Sequence, residues 1–156
     1  MRAPNPLREA ARGLSPRLWR PIADVLAALM TLTSIAWALS FQRTIGLDLY
    51  PQQYFAAILF FVMPIAFLTM PLKKGGVRDI APWFDVALAL LSAALLAYIF
   101  VAYPKIVLMI FSRSMEVWVP GLLLVVLVLE ALRRATGWAL VLIIGAFFLY
   151  GLFGDI

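Results

Sequence analysis

The sequence predicts an all-α integral membrane protein: a bundle of four to five transmembrane helices with a basic amphipathic N-terminal arm and a cytoplasmic N-terminus. Three observations predict it. First, 65% of the 156 residues are apolar and only 13% are charged, about half the roughly 25% charge of an ordinary soluble domain. One core of this length cannot hide that much apolar surface from water, which argues against a soluble globular enzyme and against a disordered chain. Second, the apolar residues gather into five segments near the length of a membrane span. Third, the cations flank those segments with a bias that alternates from side to side. On this division residues 1–21 form the arm and residues 22–156 the transmembrane helical domain.

The arm comes first. Asn5-Pro6 and Ser15-Pro16 each read as an N-cap followed by proline at the first helical position. Gly13 stands where a first short helix would stop. Leu7, Ala11, Leu14 and Leu18 repeat at helical spacing among arginines. Such a segment can lie on an anionic membrane surface, or it can be a flexible arginine tail that only sets topology.

The five segments are Ile22–Phe41, Tyr54–Met70, Phe84–Tyr103, Val117–Leu132 and Trp138–Phe153. The first follows a basic stretch and contains Ala36-Trp37-Ala38, a loose match to a signal cleavage site. Its apolar run is too long for a signal core, so it reads as an uncleaved anchor. The last two segments are short for a span. They cross with help from flanking residues, or tilt, or form parts of one broken helix. After the third segment, Ile106–Phe111 is too short to cross and reads as its continuation or as an interfacial helix.

Charge supports five crossings. Arg2, Arg8, Arg12, Arg17 and Arg20 precede the first segment. Lys73, Lys74 and Arg78 lie between the second and third, and Arg133 and Arg134 between the fourth and fifth. Only Arg43, Lys105 and Arg113 fall on the other side. The positive-inside rule puts the N-terminus in the cytoplasm and the C-terminus outside. The net charge of +5 is thus a topology signal, and no nucleic-acid partner is expected.

Chemistry is scarce. The chain has no Cys and no His, so it lacks thiolate sites and the commonest general base and metal ligand. None of the eight acidic residues falls in the middle of an apolar segment, where proton relays and ion paths keep theirs. No cofactor, metal site or catalytic activity is expected. Asp24 and Asp85 sit in the first turns of segments one and three, where an anion suits a helix start. Pro64 can kink segment two or unwind it into a backbone-lined site. Glu130 lies three and four residues before Arg133 and Arg134 and can pair with either. Gly137 then permits a stop or sharp bend. This block reads as a self-satisfied cap, or as a cap with one arginine left to bind a partner or a lipid headgroup. Ala89, Ala93 and Ala97, with Ser92 and Ala94 beside them, make a small-residue stripe suited to helix contact. Ala23 and Ala27, near Ala28, Thr31 and Ser34, make another.

These residues resemble a known family. Gly46-Leu47-Asp48, Pro82-Trp83-Phe84-Asp85, Tyr98, the block Leu129–Trp138 and then Phe147–Gly151 with Gly154 resemble the small membrane subunit of tripartite ATP-independent periplasmic (TRAP) transporters. The resemblance is closest to the N-terminal small-subunit region of the fused permeases in the TAXI branch, and it covers nearly the whole chain. It implies a scaffold in the bacterial inner membrane that braces a large permease. A periplasmic binding protein would deliver a small organic solute, and an ion gradient, usually sodium, would drive uptake. Partners would be the large permease, the binding protein and membrane lipids. Asp85, Glu130, Arg133, Arg134, Gly137, Ala89, Ala93 and Ala97 are the interface or structural candidates. In the branch it resembles most, this region continues into the large permease, so the halves here are separate chains or the sequence is a piece. The small subunit of tripartite tricarboxylate transporters is a rival of the same kind. A self-assembling channel or carrier is a rival of another kind, with Thr31, Ser34, Thr69 and Ser92 as its polar lining.

Overall fold

The computed structural model describes residues 13–71, 81–109 and 115–153. A two-residue strand, β1 (Gly13–Leu14), precedes α1 (Pro16–Ala38), the short α2 (Phe41–Thr44) and α3 (Pro51–Thr69). A second two-residue strand, β2 (Ala81–Pro82), leads directly into α4 (Trp83–Met109), followed by α5 (Met115–Thr136) and α6 (Trp138–Phe153). Four of these helices are long and apolar enough to cross a membrane: α1, α3, α4 and α5. The apolar part of α6 is shorter.

The helix starts follow local chemistry. Ser15 caps α1 with an extended backbone and Pro16 occupies the first turn, where a missing N–H costs nothing. The Ser15 carbonyl accepts from the N–H groups of Leu18 and Trp19. The helix thus starts six residues before the first apolar segment, and Arg17 and Arg20 share it. Leu14 belongs to a strand and not to a helical repeat. The remainder of the arm, including Leu7, Ala11 and Asn5-Pro6, lies outside the described residues. At the far end of α3, Pro64 is buried within a helix that runs unbroken to Thr69, so no unwound, backbone-lined site forms there.

The antiparallel pair α3 and α4 is the centre of the bundle; α1 leans on α3, α5 packs on α4 and α3, and α6 meets the others mainly through α5. Each inner helix contributes one stripe. On α1 the covered side runs Trp19, Ala23, Leu26, Met30, Ser34 and Trp37, a helical period. Ala27, Ala28 and Thr31 face outward, so only part of the small-residue group in segment one makes contact. On α4 the buried face is Asp85, Ala89, Ser92, Leu95 and Leu96. The stripe Ala89, Ala93, Ala97 diverges from it: Ala89 is buried, Ala93 half-buried and Ala97 exposed. A spacing of four drifts around a helix of 3.6 residues per turn, so the stripe leaves the interface as it climbs.

α4 also continues through Pro104 to Met109, which resolves the run after the third segment as far as Met109 as a continuation. Proline at 104 has no N–H for the Phe100 carbonyl. Buried Gln53, on α3, supplies the donor: its Nε2 lies 2.9 Å from the Phe100 oxygen. Its Oε1 accepts from the Tyr50 N–H at 3.0 Å, fastening the start of α3.

Candidate functional site

The two ends of the bundle differ. β1 pairs antiparallel with β2, Gly13 opposite Pro82 and Leu14 opposite Ala81. This joins the starts of α1 and α4. The C-terminal turn of α5 reaches the same end, because Arg134 binds Asp85 in the first turn of α4. The starts of α1 and α4 and the end of α5, with Arg17, Arg20, Arg133 and Arg134, therefore border one end, while Lys73, Lys74 and Arg78 lie outside the described residues. The other end is aromatic: Trp37 stacks on Tyr54 with centroids 4.5 Å apart, and Tyr50 meets Tyr103 at 5.5 Å.

The charged cluster at the basic end is the candidate site. Arg134 donates from Nη1 to Asp85 Oδ1 at 2.7 Å and from Nε to Glu130 Oε1 at 2.8 Å. Arg133 donates from Nε and Nη2 to Oε2 and Oε1 of Glu130, both at 2.8 Å. The side chains of Arg134 and Asp85 are 0% and 1% exposed. The guanidinium of Arg134 lies 5.0 Å over the Phe67 ring of α3, and that of Arg133 lies 5.5 Å over the Trp138 ring of α6. One cluster therefore ties α3, α4, α5 and α6. Its two guanidiniums and two carboxylates cancel in formal charge. Burying such a group is affordable only with charge-assisted, well-directed bonds like these. Gly137 ends α5 with φ +94°, and its N–H bonds the Arg133 carbonyl at 2.9 Å. This is a left-handed helix stop that glycine adopts freely.

The cluster joins four of the residues singled out by sequence: Asp85, Glu130, Arg133 and Arg134. The pairing of Glu130 extends to both arginines. The reading of Asp85 as an interfacial helix-start carboxylate changes. It does stand in the first turn of α4, but the antiparallel end of α5 covers it. Each arginine is engaged by a carboxylate, while Nη2 of Arg134 is buried without a hydrogen-bond partner among the described residues. Of the candidates Ala89, Ala93 and Ala97, only Ala89 is buried in the core. Gln53 was not evident as a functional group from sequence. Its signal is the proline at 104, which orphans a carbonyl on a neighbouring helix.

The hydroxyls along the helices are spent locally. Thr31, Ser34 and Thr69 each bond the carbonyl four residues back in their own helix, at 2.9, 3.0 and 2.7 Å. Ser92 bonds the Ala89 carbonyl at 2.9 Å. No family model matches the chain, and neither a curated protein nor a solved structure matches it.

Proposed function

We propose that this chain is the small, non-moving membrane subunit of a TRAP-type secondary transporter, bracing a large permease during ion-driven uptake of a small organic solute. The observation that carries the reading is that most of its polar groups are satisfied internally, Trp19 Nε1 and Arg134 Nη2 being the buried donors without a hydrogen-bond partner among the described residues. The hydroxyls a pore would need are returned to their own helices, and four charges are locked into one neutral cluster. What the chain offers outward is apolar helix surface, above all on α6, where none of the described residues is buried. Such a body suits helix-to-helix support in a bilayer better than solute passage. The resemblance of the Leu129–Trp138 block adds the family.

The test is to tag the chain at its N-terminus, solubilise native membranes gently and identify what co-purifies. A large many-span permease in equal amount is the expected result. A pure homo-oligomer in several mild detergents overturns it and favours a self-assembled channel or carrier. Arg133→Ala and Glu130→Ala are expected to lower the yield of the complex. Undiminished yield from both removes the cluster from the assembly surface.

A further inference from the structure

The aromatic end holds a cleft that the scaffold reading does not use. It has a volume of about 330 Å³ and is lined by Trp37, Gln42, Arg43, Asp48 and Tyr50, with Leu47, Leu49 and Pro51 at its edge. The chain after α1 folds back to make it. Ser40 takes a left-handed conformation at φ +54° and its N–H bonds the Trp37 carbonyl at 2.9 Å. Gly46 turns at φ +75°, and the Leu47 N–H closes the loop on the Gln42 carbonyl at 2.8 Å. The loop thus presents one cation and one anion on the wall of a single cleft. Neither Arg43 nor Asp48 makes an ion pair with any described residue.

We propose that this cleft binds the zwitterionic headgroup of a phosphatidylethanolamine lipid. The guanidinium of Arg43 matches the phosphate, which a planar fork of donors engages in two bonds. The carboxylate of Asp48 accepts from the primary ammonium. The stacked Trp37 and the ring of Tyr50 frame the cleft at the depth where amphipathic aromatics meet headgroups. A phosphatidylglycerol headgroup has the phosphate but no cation for Asp48. A phosphatidylcholine headgroup has a cation but no N–H to donate. The inference rests on the reading that the long helices cross a bilayer, and it is independent of the transporter assignment.

The test uses the purified full chain, delipidated and offered an equimolar mixture of the three lipids with identical acyl chains, with bound lipid counted by native mass spectrometry. The wild type is expected to retain phosphatidylethanolamine about fivefold over phosphatidylglycerol, the discrimination of roughly one exposed ion pair. Asp48→Asn is expected to erase that preference, and Arg43→Gln to lower retention of all three. Equal retention by the wild type overturns the proposal, as does a preference that survives both substitutions. Release of the chain from membranes by alkaline carbonate without detergent overturns the bilayer reading and the proposal with it. Absence of a co-purifying permease leaves the lipid result standing.

Discussion

Arg134 ties three helices together at the basic end. It bridges Asp85 on α4 and Glu130 on its own helix while lying over Phe67 of α3. Removing one member of a buried pair strands the other, at a cost of about 3–5 kcal/mol, whereas replacing both by apolar groups of similar size is often neutral. Arg134→Met is therefore expected to lower unfolding stability in detergent by up to about that amount. The double variant Arg134→Met/Asp85→Leu is expected to recover most of the loss. Denaturant unfolding of the two singles and the double measures the coupling. Additive losses would mean that the pair contributes nothing beyond its separate contacts. Part of this site was legible. Glu130 with Arg133 and Arg134 follows from helical spacing alone. The Asp85–Arg134 bond joins residues 49 apart, and no local pattern reports which helix start the end of α5 will cover.

Helix continuity through proline is decided between elements. Pro104 would orphan the Phe100 carbonyl, yet α4 runs on because Gln53 of α3 reaches it. Apolar patterning located α4 and its neighbours to within six residues at either end, since a run of apolar side chains needs a helix to satisfy its backbone in lipid. It left the continuation past Tyr103 as one of two readings, because the compensating donor lies in another helix. Gln53→Leu leaves both the Phe100 oxygen and the Tyr50 N–H without this partner. The expected loss is about 1–3 kcal/mol, the penalty of an unpaired buried group. Pro104→Ala restores the N–H that the Phe100 carbonyl lacks. In that background the cost of Gln53→Leu is expected to fall, and unfolding of the four variants in detergent measures by how much. An equal cost in both backgrounds would show that Gln53 acts only through packing and the start of α3.

At the scale of the whole molecule, three helix termini that adjoin basic stretches of the sequence gather at one end. Sequence assigns the stretches before α1, between α3 and α4, and at the end of α5 to one side. The structure joins the starts of α1 and α4 through β1 and β2, and brings the end of α5 to them through Arg134. A cytoplasmic basic end is what the positive-inside rule predicts for this arrangement, and labelling from either side tests it. What charge alone leaves open is the course of α6. Its 16 residues span about 24 Å at 1.5 Å each, short of a hydrocarbon core of about 30 Å. Crossing would require local thinning of the bilayer or snorkelling at its ends. The chain contains no cysteine, so single introduced thiols report side without background. Thr44, Thr136 and Tyr150 are all exposed and lie after α1, at the end of α5 and near the end of α6. In intact cells an impermeant maleimide is expected to label Thr44→Cys and Tyr150→Cys, and to reach Thr136→Cys only after permeabilisation. Labelling of Tyr150→Cys on the side of Thr136→Cys would mean that α6 turns back and the chain crosses four times. The apolar face of α6 would then lie along the same surface as the Arg133–Trp138 contact, and any partner it supports would be met from the cytoplasmic side.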